Sequence, residues 1–132
     1  ALTKFHILDF ALKGAKNPLN EFEKKFKKDP YFKSIVKEIQ KVKKIKNIPH
    51  SKAVKKLGMA CSYPGTFNSS IHSILNSKNY KSAVIKTIKA GGCNCSRLNF
   101  IGAYFAALNG INSIPNSWIK KTERANIILK VN

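Results

Sequence analysis

Acidic side chains are what this chain lacks. Between Glu38 and Glu123 there is neither Asp nor Glu across 84 residues, while the same stretch carries 14 Lys and Arg. The whole sequence sets Asp9, Glu21, Glu23, Asp29, Glu38 and Glu123 against 25 Lys and Arg, a formal net charge of +19 on 132 residues. A two-carboxylate acid/base pair or a hard-metal cage needs clustered oxygen ligands, so such chemistry has few residues to draw on. Cysteine is scarce too: Cys61, Cys93 and Cys95 are an odd number, too few for a disulfide scaffold. No run approaches the ~20 apolar residues of a membrane span, and the longest apolar stretch, near Phe100 to Leu108, is interrupted by Gly102. His6, His50 and His72 are the only general-base candidates near neutral pH.

What is present is an ordinary apolar fraction, 43%, so the charge does not signal disorder. The length suits one domain, residues 1–132, with a core holding it together. Periodicity predicts helices throughout and no strand. Leu2 to Lys13 places Phe5, Ile7, Leu8 and Leu12 on one face, with Gly14 as its stop. Asn20 and Glu23 approximate a capping box. Asp29-Pro30 opens a helix with Phe32, Ile35, Val36, Ile39 and Val42 inward. Pro49 breaks it, Ser51 caps the next, and Thr66 caps another through Leu75. Lys78 to Ala90 turns Tyr80, Val84, Ile85 and Ile88 inward and stops at Gly91-Gly92. Ser96 caps an apolar helix, Leu98 to Leu108. Ile114-Pro115 leads into an amphipathic piece around Trp118 and Ile127 to Leu129. The expected fold class is all-α, a compact orthogonal bundle of several helices.

Between Cys61 and Lys121 the chain reads Cys61-Ser62-Tyr63-Pro64-Gly65-Thr66-Phe67, then Tyr80 and Ala83-Val84, then Lys89-Ala90-Gly91-Gly92-Cys93-Asn94-Cys95-Ser96-Arg97, then Phe100-Ile101-Gly102-Ala103, Asn109-Gly110 and Ile114-Pro115-Asn116-Ser117-Trp118-Ile119. This order resembles the C-terminal part of the ADP-ribosylglycohydrolase family, in particular the branch with the jellyfish J-type crystallins. The resemblance is strongest over residues 52–121. It implies an all-helical fold, and for the family's enzymes cleavage of ADP-ribose linkages with two magnesium ions. Their Gly-Gly-Asp-x-Asp element supplies metal carboxylates where this chain has Cys93 and Cys95, and thiols are poor ligands for magnesium. The other ligands lie in N-terminal segments of a longer chain. The resemblance therefore implies no metal, no cofactor and no magnesium-dependent glycohydrolase activity. It also brings the turns of Cys61, Cys93 and Cys95 near one another. The preferred reading there is an inherited turn with buried thiols, and the alternative is a bridge from Cys61 to Cys93 or Cys95.

Gly91, Gly92, Asn94 and Ser96 precede a helix, so their backbone could cradle a phosphate helped by Arg97; a plain pair of helix caps explains them equally well. His50 and His72 are candidates for metal-free hydrolysis of nucleic acid or ADP-ribosyl bonds with a cationic stabiliser, although their spacing singles out no pair. Asn68-Ser69-Ser70 and Asn94-Cys95-Ser96 fit the glycosylation sequon, in segments expected to be packed. The lysine runs are the candidate binding residues: Lys24, Lys25, Lys27, Lys28, Lys41, Lys43, Lys44, Lys46, Lys55, Lys56, Lys86 and Lys89, with Arg97. Any single run reads as a solvated helix face; the missing acids point further, to anionic partners such as nucleic acid, glycosaminoglycan or acidic membrane. With 23 Lys to 2 Arg, reading of specific bases is not expected. The start at Ala1 without a hydrophobic leader is compatible with a processed, secreted form. The expectation is thus a small basic secreted effector, a toxin or defence protein. A hydrolase and a crystallin-like structural protein are the alternatives, and pairing of two copies would cover apolar contacts the missing half makes in longer relatives.

Overall fold

Asn17 and Asn79 set where two helices begin, and Asp29 holds the turn that precedes a third. Asn17 Oδ1 accepts the backbone N–H of Asn20 at 3.1 Å and Pro18 sits at the first helical position, so α2 spans Pro18–Phe26. The sequence placed that cap at Asn20; Asn17 wins because Pro18 pre-sets the first turn. Asp29 Oδ1 accepts from the N–H groups of Tyr31 (2.8 Å) and Phe32 (3.2 Å), which closes a turn, so α3 spans Lys33–Lys44 and starts after Phe32 and not at the expected Asp29-Pro30. Asn79 and Ser82 form a reciprocal capping box at the start of α6, Tyr80–Ala90.

The computed structural model describes residues 2–130, all helix and connection with no strand among them. Besides those three, α1 is Leu2–Leu12, α4 His50–Leu57, α5 Gly65–Leu75 and α7 Asn94–Asn109; a 3-10 turn at Ile111–Ser113 leads to α8, Asn116–Lys121, and α9, Ala125–Ile128. Helix α5 is central and touches α3, α4, α6 and α7, while α1 packs on α2 and α7. The core joins Ile7, Leu19, Phe22, Val36, Ile39, Val42, Ile71, Phe100 and Ile101, among others. Burying each such side chain contributes roughly 1.5–3 kcal/mol. On α3 the pattern is plain: Val36, Ile39 and Val42 face inward while Lys33, Lys37, Lys41 and Lys44 stay in water.

Several local expectations change. On α1 the inward face is Thr3, Ile7 and Ala11, and Phe5 is 63% and Leu12 73% exposed. On α6 the buried residues are Ala83, Thr87 and Ala90; Tyr80, Val84 and Ile85 are half-buried and Ile88 is exposed. Small side chains face inward there because α6 packs against α4, α5 and α7 at once, which leaves no room for larger ones. Ser51, Thr66 and Ser96 cap nothing. Helix α4 starts at His50 after Pro49, Thr66 Oγ1 donates instead to Ala60 O at 2.8 Å, and α7 starts two residues before Ser96. Ile127, Ile128 and Leu129 remain exposed.

The buried face of α5 is polar as well as apolar. Asn68, Ser69, Ser70, His72 and Ser73 are all buried and each makes at least one side-chain hydrogen bond, while Asn68 Oδ1 has none among the described residues. Ser70 Oγ donates to Thr66 O (2.8 Å), Ser69 Oγ to Gly58 O (3.2 Å), and Ser73 Oγ meets Thr87 Oγ1 (3.0 Å). The Asn68 amide donates to the Glu38 carboxylate, which removes this sequon asparagine from solvent. Pairing of this kind offsets the desolvation of a helix that would otherwise read as a surface element.

Candidate functional site

The turn between α6 and α7 is built around glycines. Gly91 and Gly92 adopt φ of +72° and +74°, the left-handed region, and a Cβ on Gly92 would lie 2.6 Å from Met59 O. That close approach seats the Gly58–Cys61 segment on the turn, with the Cys93 N–H donating to Met59 O at 2.9 Å. Cys61 and Cys93 are joined as a disulfide with a Cα–Cα distance of 5.5 Å, and Cys95 is an exposed free thiol. The preferred reading of unbridged buried thiols is therefore overturned, because the glycine contact brings Cys61 within bonding reach.

Two further expectations concern this turn. Arg97 is 1% exposed, so it cannot contact an external polymer. Its Nη2 donates to Gly91 O and to Asn94 Oδ1 (3.0 Å), while Nε and Nη1 are buried without partners. It braces the turn from below. In the turn of Gly91, Gly92, Asn94 and Ser96 the Gly91 N–H donates to Ile88 O (3.1 Å) and the Cys93 N–H to Met59 O, Asn94 Oδ1 accepts from Arg97, and Ser96 Oγ lies 3.2 Å from Cys93 Sγ, so protein takes up part of the hydrogen-bonding capacity an anion would use. Nor do these residues fit a magnesium ion. One sulfur is bridged, the other is soft, and the described residues contain no group of three or more His, Cys, Asp or Glu able to hold a metal.

Helices α4 and α5 bring together two residues that sequence spacing left apart. His50 and His72, 22 positions apart, stack with ring centroids 5.2 Å apart and Nδ1 atoms 3.0 Å apart. His72 Nε2 lies 3.2 Å from Ile45 O, which only accepts, so Nε2 carries the proton and His72 Nδ1 is the acceptor for His50 Nδ1–H. His50 Nε2 is then an unprotonated nitrogen, buried and without a partner. Burial, then the neighbouring His72, Arg97 and Lys86 charges, lowers the His50 pKa from 6.5 to about 4. Burial also lowers His72, with Lys86 adding to the effect and the Ile45 hydrogen bond opposing it. A general base works best with a pKa near the working pH, and both rings are pushed away from it. No pattern in the sequence could have found this pair, since it exists only through the packing of α4 on α5.

The lysines fall into two sets. Lys24 pairs with Glu21 (3.0 Å), Lys41 with Glu38 (3.8 Å), and Lys43 with Glu23 (2.6 Å) and Asn20 (2.7 Å). Lys86 donates to Asn76 O. Lys25, Lys27, Lys28, Lys44, Lys46, Lys55, Lys56 and Lys89 are exposed with no carboxylate within 4 Å among the described residues. Lys25 Nζ lies over the Phe10 and Phe26 rings, at 5.7 and 5.4 Å from their centroids. The lysine field is thus spread over α2, α3, α4 and α6 rather than gathered in one cleft.

Comparison with known proteins gives a consistent family. The family model described as ADP-ribosylglycohydrolase matches residues 5–131, well beyond the 52–121 segment where the sequence resemblance was strongest. Crystallin J1A of Tripedalia cystophora is 39% identical over 93 residues, 70% of this chain and 29% of its own length. Crystallin J1B of the same organism is 36% identical over 78 residues, 59% of this chain and 24% of its own. The matches therefore span less than a third of these curated relatives. No solved structure matches.

Proposed function

Because the chain belongs to the ADP-ribosylglycohydrolase family, we propose that it is a non-catalytic member that binds anionic polymers or membrane surfaces through its lysines, without reading base sequence, and acts as a secreted effector of the toxin or defence kind. The observation that carries this reading is the uncompensated lysine field: 25 basic residues face six acids, and eight of the exposed candidate lysines have no ion-pair partner among the described residues. Such a field repels itself unless anions neutralise it, and ammonium groups that contact a polyanion release its counterions, so binding depends steeply on salt. Loss of the family's chemistry is supported by Cys93, which stands where the family carries a metal carboxylate and is bridged to Cys61. The same bridge favours an oxidising compartment, consistent with secretion.

A parallel salt titration on DNA, heparin and anionic vesicles tests the proposal, with vesicle leakage and strand cleavage scored in the same samples. Binding that weakens steeply with salt, without cleavage, is expected. Indifference to all three at low salt, or magnesium-dependent hydrolysis of an ADP-ribose conjugate, refutes it. A structural role is the second reading, favoured by the crystallin names of the matched relatives. Like-charged molecules resist dense packing with themselves, which weighs against it. Metal-free hydrolysis through His50 and His72 would require a ring nitrogen that substrate can reach, and both side chains are buried.

A further inference from the structure

Where the connection from α7 to α8 passes the start of α6, an open cavity of about 370 Å³ is walled by Asn79, Asn109, Asn112, Asn116, Lys78 and Lys81. All six are exposed, and among the described residues no carboxylate lines the cavity. A carboxamide both donates and accepts hydrogen bonds, so four of them around one space suit a ligand rich in hydroxyl groups. Asn79 Oδ1 is used by the Ser82 N–H at 2.9 Å, which leaves its NH₂ group for a ligand. The two ammonium groups add attraction for sulfate or carboxylate. Ile114 lines both this cavity and an adjoining apolar groove of about 250 Å³, in which Tyr80 and Trp118 meet edge to face with centroids 6.2 Å apart. An aromatic pair beside an amide-lined cavity supplies apolar surface for the C–H face of a sugar ring.

We infer that this cavity and the Tyr80–Trp118 pair form a subsite for an acidic oligosaccharide, its hydroxyls on the asparagines and its sulfate or uronate groups on Lys78 and Lys81. The inference rests on the polyanion reading above and narrows it to one class. A DNA duplex keeps its base edges within its grooves and presents mostly phosphate oxygens to a surface cavity; these accept from the carboxamide NH₂ groups and leave the carboxamide oxygens without donors. Trp118 is the one tryptophan of the chain and reports on the site directly.

The full chain is titrated with a heparin-derived hexasaccharide, a DNA oligomer of equal charge and a neutral glucose hexasaccharide, following Trp118 fluorescence and calorimetric Kd. The sulfated sugar should shift Trp118 emission saturably and bind more tightly than the neutral one. The double variant Asn112→Ala, Asn116→Ala should weaken sulfated-sugar binding about tenfold, the loss of one to two hydrogen bonds, and leave DNA binding unchanged. Lys78→Gln with Lys81→Gln provides an independent surface variant with the same expected direction. A silent Trp118 together with an unaltered Kd in the asparagine variant overturns the subsite but not the polyanion reading. Equal losses for DNA and sugar in the asparagine variant overturn the saccharide assignment in favour of nucleic acid. Failure of both charged ligands to bind overturns both readings.

Discussion

Lowering the pH charges His50 in the unfolded chain long before it charges His50 in the fold. The folded ring titrates near 4 because burial and the charges of His72, Arg97 and Lys86 disfavour the imidazolium, whereas the unfolded value is 6.5. A base with a depressed folded pKa leaves the unfolded state binding more protons. Its contribution is therefore full above pH ~6.5 and is lost as pH falls toward ~4. A shift of that size corresponds to about 3 kcal/mol in total at 1.36 kcal/mol per unit, and to about 1–2 kcal/mol between pH 7 and pH 5 once solvent screening is allowed for. Differencing against a variant that lacks the His50 ring removes the contribution of the other titrating groups. Urea denaturation of wild type and His50→Gln at the two pH values measures it. The glutamine amide can still donate to His72 Nδ1 but does not titrate. Wild type should lose about 1–2 kcal/mol more than the variant on acidification; equal losses would refute the assignment of a charge-excluding environment to His50.

Replacing Cys61 and Cys93 by Ser should lower stability by about 3–4 kcal/mol, the loop-closure value for a 32-residue separation, with reductant producing the same loss in wild type in denaturation curves. Gly92→Ala should cost roughly 1–3 kcal/mol, because the new Cβ meets Met59 O in a left-handed conformation, and a shift in thermal midpoint checks it. Phe22→Ala, wholly buried in the core, should cost about 3–5 kcal/mol by the same measurement. Converting Lys44, Lys46, Lys55 and Lys56 to Gln should flatten the salt dependence of duplex DNA binding by about 0.9 units of slope per contacting lysine. Lys43→Gln should change it little, since Lys43 is tied to Glu23 and Asn20.

Helices whose inward residues are large and whose outward residues are charged were legible from periodicity alone, and α3 is the clearest case, with Val36, Ile39 and Val42 against its lysines. Helix α6 was legible as a helix but not in its rotation, because a crowded interface selects Ala83, Thr87 and Ala90 over the larger Val84, Ile85 and Ile88. Arg97 reads in sequence as a free cation beside a turn and in the fold as its buried brace. Exposure is a property of what packs on a residue, which residue type alone does not carry.

By itself the amino-acid order determined the all-helical class, the family, the scarcity of metal-binding oxygens and the positive charge, since each follows from local periodicity, a linear motif or a count. Only the tertiary structure decided that Cys61 meets Cys93, that His50 and His72 share a proton across two helices, and which lysines lack an acid within reach. Those are distances between segments far apart along the chain, set by how side chains of particular volumes interlock around α5.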